Sequence, residues 1–214
     1  MSINKHAQNC CAGNMKRIII TFLFICSISS IDAQFAENNA IYYSEELNFG
    51  NYIGLNADLN YVYKEKYSFK IGYNGNIRKP KSQPEDYSSG LAKAIIFGLE
   101  NPYDQIENYQ IAVGRISRLN KSRTIRVNCL VGIGYTIIRE PGNWQKIDNG
   151  SLIAENYTWN YSRDNTISLI VNPKIEFPFT WVYGLTVSPM LQVNKYRIYY
   201  GIGIGSMLGL LKKR

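Results

Sequence analysis

The chain has 214 residues, of which 45% are hydrophobic and 13% aromatic, and its 17 tyrosines are a heavy aromatic load. This length favours a single domain, and four cysteines are too few for a disulfide-rich scaffold. Lysine and arginine number 24 against 16 acidic residues, a net charge of +8. The basic residues are spread along the chain without a compact stripe, so the excess does not predict nucleic-acid binding.

The N-terminal region has the layout of an export signal. Residues 15–33 begin with Lys16 and Arg17, continue with an apolar run over residues 18–28, and end in small and polar residues. This order predicts a cleaved signal peptide, because the run is well short of the ~20 apolar residues that a membrane-spanning helix needs. A signal peptide acts from the N-terminus, so we expect residues 1–14 to be an upstream extension before the true start.

Cleavage after residue 33 would change the chemistry of the chain that remains. His6 is the only histidine and would be lost, while Cys129 would be the only cysteine left, which excludes an intramolecular disulfide. The removed part carries three basic residues and one acidic residue, so the net charge falls from +8 to +6. We expect residues 34–214 to form the folded domain.

From residue 53 onward the chain alternates apolar and polar residues. In IGLNADLNYVY, residues 53–63, Ile53 and Leu55 share one face of a strand, while Asn56 and Asp58 lie on the other. The pattern recurs, and seven segments are predicted to be strands: approximately 52–63, 66–78, 108–119, 124–139, 166–177, 182–193 and 196–208.

Two properties of these strands are not typical of a soluble sheet. They are about 11–15 residues long, whereas strands of globular proteins centre on ~5–6 residues and ~9–11 tilted residues cross a bilayer. Their polar face is rich in glycine, as at Gly201, Gly203 and Gly205, which suits the crowded interior of a narrow barrel. Long strands with an apolar outer face and a polar inner face are typical of a transmembrane β-barrel.

The number of strands follows from the lengths of the connections. Bacterial barrels have an even number of strands, with short turns on the periplasmic side, and an eighth strand at about 38–47 satisfies this rule. The sequence therefore predicts an all-β fold, a single eight-stranded antiparallel up-and-down transmembrane β-barrel. Its two long outer loops would be residues 79–107 and 140–165.

Two features fit this pattern poorly. The alternation in residues 108–119 breaks phase near Arg115. Pro173 and Pro189 lie in mid-strand and are predicted to face each other across one strand pair. Each lacks a backbone donor, so we expect a bulge or a local widening of the wall there.

The chain resembles the small outer-membrane barrels that include the OmpA membrane domain and OmpX. The resemblance covers about residues 38–214 and rests on the alternation, the signal and the glycine-rich closing strand GIGIGSMLGLL. It implies a place in the outer membrane of a Gram-negative type of envelope. The partners that it implies are outer-membrane lipids, lipopolysaccharide and the barrel assembly machinery. Many such barrels end on an aromatic residue, whereas this chain ends on Arg214.

Charged residues on the inner face should pair with one another. An eight-stranded barrel has room inside only for side chains, so no open pore is expected. An unpaired buried charge is costly. The predicted lumen charge network comprises Asp58, Lys70, Arg126, Lys174 and Glu176.

No enzymatic activity is predicted. Without a histidine in the exported chain, the histidine-assisted acid–base chemistry of outer-membrane barrel enzymes is not available. Ser68 and Lys70 are interpreted as polar lumen groups. The paired acids Glu85–Asp86 and Asp104/Glu107 are interpreted as solvated loop charges in preference to a divalent-cation site. We therefore predict no catalytic residue, no cofactor and no metal site.

The outer loops are the remaining candidates for function. Residues 88–100 have apolar residues near helical spacing, which favours a short helix over the barrel mouth. Trp144, Tyr157, Trp159 and Tyr161 are the candidate contacts to a surface glycan or protein, although packing of the loop on itself also accounts for them. Three alternatives stay open: a purely structural barrel, a secreted soluble lipocalin-like or β-sandwich binding protein, and a lipid-modifying barrel enzyme.

Overall fold

The computed structural model describes residues 39–89, 101–120, 124–147 and 155–211. The predicted extension and signal, and all but the first two residues of the predicted cap helix, lie outside these ranges. Among the described residues, no helix has the length and hydropathy needed to cross a membrane.

The described chain forms eight β-strands. They are β1 (Ala40–Gly50), β2 (Ile53–Tyr63), β3 (Tyr67–Arg78), β4 (Asp104–Arg118), β5 (Arg126–Lys146), β6 (Tyr157–Phe177), β7 (Tyr183–Val193) and β8 (Ile198–Leu210). Each strand pairs antiparallel with the next, and β8 pairs with β1, so the sheet closes into a barrel. The predicted all-β, eight-stranded antiparallel barrel is confirmed. Its first strand runs three residues further than predicted, because β1 and β2 remain paired up to Phe49 and Ile53.

The barrel has two distinct ends. The terminal end carries the first residues of β1, the last residues of β8 and the connections β2–β3, β4–β5 and β6–β7. The loop end carries the long β3–β4 connection, the β5–β6 hairpin and the turns at Asn51 and Lys195. These names are used below.

Polarity is inverted relative to a soluble domain. Outward side chains are apolar and exposed, for example Ile71 at 65% and Ile167 at 71%, whereas inward Asn74 and Lys174 are 0% exposed. Period-two alternation on a closed sheet produces this result, because every second residue of every strand faces the lumen. Two apolar clusters lie inside the barrel: Ala40, Tyr42, Val62, Ile116, Met207 and Leu211 at the terminal end, and Tyr52, Ile106, Ile170, Met190 and Tyr199 in the loop-end half.

The predicted outer loop 140–165 is wrong in part, since most of it is strand. β5 continues to Lys146 and β6 starts at Tyr157, with a register shift between Gly142 and Gln145. β6 pairs with β7 only from Leu169 onward, so the hairpin rises above its neighbour on that side. The backbone hydrogen bonds of a hairpin do not require an apolar face. A strand prediction based on alternating hydrophobicity therefore stops where the apolar face ends, and it underestimates the length of a hairpin that continues into water.

The predicted phase break near Arg115 is also wrong. Alternation in β4 continues without interruption, with Arg115 outward and exposed and Ile116 inward and 6% exposed. The lumen at this level is apolar, because Ile116 belongs to the terminal-end cluster. At this position the inward side chains of β4 change from polar to apolar, while inward and outward residues continue to alternate along the strand.

Pro173 and Pro189 face each other, and the ladder opens between them. β6 and β7 pair at Val171 with Leu191 and at Ile175 with Val187, but the residues between these pairs are not in the ladder. The register is the same on both sides, so the expected local widening is present without a bulge. Neither proline has an N–H to donate. The side-chain amide of Asn172 on β6 donates to the backbone carbonyl of Pro189 on β7 at 3.0 Å, and this bond links the two strands across the gap.

Candidate functional site: the lumen network and the loop-end platform

A charge network fills the middle of the lumen. The Lys174 ammonium lies 2.9 Å from a Glu46 carboxylate oxygen and 3.5 Å from Asp58, and Lys70 lies 3.4 Å from Asp58. All four side chains are 0% exposed. Lys70 also donates to the Asn172 amide oxygen at 2.9 Å. Two cations and two carboxylates therefore neutralise each other in an interior that is buried from bulk solvent.

Glu46 is the member of this network that the sequence analysis missed. It lies on β1, which was predicted from strand parity and not from its own alternation, but period two from Tyr42 and Ser44 would have placed it inward. Thr186 and Ser188 of β7 also donate to its carboxylate. Nearer the terminal end, Arg126 pairs with Glu176 in a separate contact. The structure thus splits the predicted five-residue set into two groups.

A second charged cluster lies at the loop end of the lumen around Asp104. Its carboxylate is buried and receives Arg78 and Arg197 from opposite sides of the barrel, while Tyr52 donates to it at 3.1 Å. Arg197 also pairs with Glu140 on β5. The interpretation of Asp104 as a solvated loop acid is therefore wrong, because β4 begins four residues earlier than predicted and carries it inward.

The loop after β3 is docked on the β5–β6 hairpin. The Asp86 carboxylate accepts hydrogen bonds from Lys146 at 2.7 Å and from the Tyr157 hydroxyl at 2.6 Å. Asn156 donates to the Asp86 carbonyl at 2.7 Å and accepts from the Ser88 amide at 2.7 Å. These bonds join two segments that are about 60–70 residues apart in sequence.

Five aromatic side chains form one contact cluster on this docked surface. Tyr87 packs on Trp144 with centroids 5.4 Å apart, Trp144 contacts both Tyr157 and Trp159, and Trp159 meets Tyr161 edge-on at 4.9 Å. We call Tyr87, Trp144, Tyr157, Trp159 and Tyr161 the aromatic platform. All four residues predicted as loop contacts belong to it. Tyr87 could not be assigned from sequence, because it comes from the other connection.

Hydrogen bonds hold the rings of the platform in place. Glu155 accepts from the Trp159 indole at 2.8 Å and from the Tyr87 hydroxyl at 2.6 Å. The Trp144 indole donates to Ser82 at 3.3 Å. Trp144, Tyr157 and Trp159 remain half-buried and Tyr161 is exposed. The platform is thus a fixed aromatic surface that still presents ring area to solvent.

The contact between Asp86 and the hairpin should depend on pH. Hydrogen bonds from Lys146 and Tyr157 lower the pKa of the Asp86 carboxyl. The hydrogen bond between Tyr157 and Asp86 also raises the pKa of the Tyr157 hydroxyl. A lowered folded-state pKa stabilises the docked loop above the ordinary aspartate pKa of about 4, and this contribution is lost as pH falls through the lowered value.

We therefore expect the loop to loosen in acid below about pH 4, which amide hydrogen exchange at Ser88 and Asn156 would detect. The matched variant Asp86→Asn should remove most of this pH dependence. Protection factors, which correct for the intrinsic pH dependence of exchange, should fall in acid, and values that stay constant in the unmodified protein would contradict the assignment.

No family model and no characterised protein matches the sequence. Among solved structures, Ail, the attachment invasion locus protein of Yersinia pestis, is 10% identical with a TM-score of 0.47, and the match covers 80% of this chain and 97% of that chain. The N-terminal β-barrel domain of Pseudomonas aeruginosa OprF is 10% identical, with a TM-score of 0.45 and coverage of 81% and 98%. Neisserial surface protein A is 10% identical, with a TM-score of 0.44 and coverage of 79% and 95%.

The chain has the fold of the small eight-stranded outer-membrane barrels. The strand pairing of the chain itself establishes the closed ring of eight strands, because β1 and β8 pair in a continuous register from Ile41 with Leu210 to Gly50 with Gly201. At 10% identity the similarities concern architecture and carry no binding property to this chain.

Proposed function

We propose that the protein is an integral barrel of the outer membrane, closed to solutes, that recognises a surface glycan or protein through its aromatic platform. The inverted polarity of the wall carries the membrane part of this proposal. Leu55, Ile111 and Ile133 are each more than half exposed on the outer face, and a lipid phase is the environment in which such a surface is stable. Export by the signal at residues 15–33 belongs to the same proposal.

The filled lumen supports a closed barrel. The lumen cations described above all contact carboxylates, and apolar clusters lie toward both ends. A solute would have to displace these pairs, and leaving a buried charge without its partner is unfavourable. Large and stable conductance steps in planar bilayers would contradict closure.

Two measurements distinguish the membrane barrel from a soluble binding protein. The membrane-extracted protein should change its gel migration on heating, because a barrel keeps its structure in detergent until it is heated. It should also fractionate with the outer membrane. Recovery in the soluble periplasmic fraction would overturn the proposal in favour of the lipocalin-like or β-sandwich alternative.

The recognition part of the proposal is supported by the construction of the platform. Aromatic residues provide large contact area at low entropic cost, and loops on a rigid scaffold are where binding residues concentrate. Here four of the five rings lie on a hairpin that continues two barrel strands, and Glu155 accepts hydrogen bonds from both Trp159 on the hairpin and Tyr87 on the docked loop. A pre-organised surface loses less entropy on binding than a flexible loop does.

Alanine substitution of Trp159 should weaken binding of whole cells or vesicles to the recognised glycan or host surface by about thirtyfold, the scale of an aromatic hot spot of ~2 kcal/mol. Trp181→Ala, at the terminal end, is the matched control and should leave binding unchanged. Insertion and heat-dependent migration should be the same in both variants.

A larger change tests the remaining alternatives. Deleting residues 143–161 removes most of the platform while leaving the part of the barrel below it. If binding to glycans and host surfaces is unchanged, the protein has a structural role and the recognition proposal fails. If the deletion instead abolishes a lipid-modifying activity of the intact protein, the barrel-enzyme alternative replaces it.

A further inference from the structure

A groove crosses the outer wall where the ladder between β6 and β7 is open. It has a volume of about 490 Å³ and lies beside Pro173 and Pro189. Its other apolar walls come from Val171, Leu191 and Ile202. The groove coincides with the interruption of the ladder beside the proline pair, and it extends over β8 to Phe49 at the end of β1. It runs across the apolar band that faces outward.

A second and larger pocket lies at the loop end, where it extends from the β7–β8 turn toward Arg78 of β3 and Glu140 of β5. It has a volume of about 890 Å³, and its lining includes four cationic side chains, Arg78, Lys81, Lys195 and Arg197, against one carboxylate, Glu140. Arg78 and Arg197 are anchored on the buried Asp104. Within the described part of the chain, Lys81 and Lys195 make no ion pair, so the pocket carries excess positive charge.

The pocket and the groove are adjacent, because Tyr200 lines both. Tyr200 pairs with Leu191, and Ile202 pairs with Pro189 two residues further down the wall. From Val193, the last residue of β7, to Pro189 the strand spans about 14 Å at ~3.4 Å per residue, and Lys195 lies in the turn beyond it. This is enough to run from a headgroup region through one leaflet, which is about half of the ~30 Å hydrocarbon core.

We propose that this composite site binds one acylated lipid with a phosphate-bearing headgroup, its phosphate in the cationic rim pocket and an acyl chain in the proline groove. Charge complementarity selects the headgroup, since arginine and lysine are the usual protein partners of phosphate. A second copy of this chain fits less well, because a symmetric contact through this face would bring two cationic pockets together. The site is separate from the aromatic platform, so it can fail or succeed independently of the proposed recognition function.

The test uses native mass spectrometry of the full mature chain in detergent micelles, with dioleoyl phosphatidylglycerol as the probe. Glycerol phosphate and dioleoylglycerol supply the head and the chains separately. We expect retention of the intact phospholipid and little competition from either part alone. Equal competition by glycerol phosphate would show that the rim pocket binds free phosphate compounds, and it would overturn the composite site.

Variants of the rim pocket give effects of opposite sign. The double variant Lys81→Gln/Lys195→Gln should weaken phosphatidylglycerol retention by about thirtyfold, on the scale of ~1 kcal/mol for each lysine near an anionic lipid. Glu140→Gln should strengthen retention, because it removes the one carboxylate among the described lining residues and leaves Arg197 paired with Asp104 alone. Unchanged retention in the double variant would overturn the proposal.

A matched pair of variants tests the groove. Val171→Trp fills the groove, whereas Ile167→Trp lies four residues away on the same outward face of β6 and outside the groove. Both place an apolar ring in the same environment, so both should fold. Retention should fall for Val171→Trp only. An equal effect of the two variants, or a protein dimer that Val171→Trp abolishes without any bound lipid, would overturn the proposed occupant.

Discussion

Replacing Lys174 with methionine is expected to destabilise the folded barrel by about 3–5 kcal/mol, the usual cost of removing one partner from a buried ion pair. Lys174 lies between Glu46 and Asp58, and all three are fully buried. Methionine has a similar length and no charge, so both carboxylates keep their positions and lose their shared cation. Equilibrium unfolding by guanidinium in detergent micelles would measure the change.

Two further variants show whether the loss comes from the unpaired charge. Lys146→Met removes an ion pair in which both side chains are more than half exposed, and such a pair contributes only about 0–1 kcal/mol. Adding Glu46→Gln to Lys174→Met should restore part of the lost stability, because the pair of changes leaves less uncompensated charge. If Lys174→Met lowers the free energy of unfolding by no more than Lys146→Met does, the result would contradict burial of the lumen charge network away from solvent.

Replacing Ile133 with arginine is expected to cost about 2–4 kcal/mol when the protein is folded into lipid vesicles. Ile133 lies near the middle of the part of β5 that pairs with β4, from Arg126 to Arg139. It is 53% exposed on the outer face and is paired with Ile111 and Leu169. In a lipid environment the guanidinium would have to reach the interface or draw water into the wall. Folding titrations in vesicles would measure the difference.

The same substitution distinguishes a membrane barrel from a soluble one. On a soluble protein an exposed isoleucine-to-arginine change stays within about ±0.5 kcal/mol. Phe179→Arg is the control, because Phe179 lies in the β6–β7 connection at the terminal end, where the expected cost near the interface is about 0–1 kcal/mol. Equal and small effects at both positions would argue against a lipid-facing wall.

Much of the fold could be predicted because a barrel repeats one local rule. Alternation in residues 53–63 and 67–78 assigns each side chain to the wall or the lumen without knowledge of its neighbours. Strand parity then required an eighth strand, and β1 is present at Ala40–Gly50. The rule was less informative where the environment changes along a strand, as at Ile116. The hydrophobicity of a residue depends on what surrounds its side chain, so a change of environment can look like a change in the direction of the strand.

The candidate sites depended on contacts between distant strands. Alternation places Asp58, Lys70 and Lys174 on inward faces, but register and the curvature of the closed wall decide that Lys174 lies between Glu46 and Asp58. The aromatic platform likewise joins Tyr87 to Trp144 across two connections.

The sequence by itself determined which face of each strand is apolar, how many strands are needed and where the prolines interrupt the ladder. These properties depend on single residues and on the alternation of inward and outward side chains along a strand, so they can be predicted from local sequence. Only the tertiary structure decided the partners of Glu46 and Asp104, the docking of Asp86 on the hairpin, and the meeting of the rim pocket with the proline groove at Tyr200. The physical reason is that ring closure brings residues more than a hundred positions apart within hydrogen-bonding distance, as for Lys174 and Ser44 at 3.2 Å.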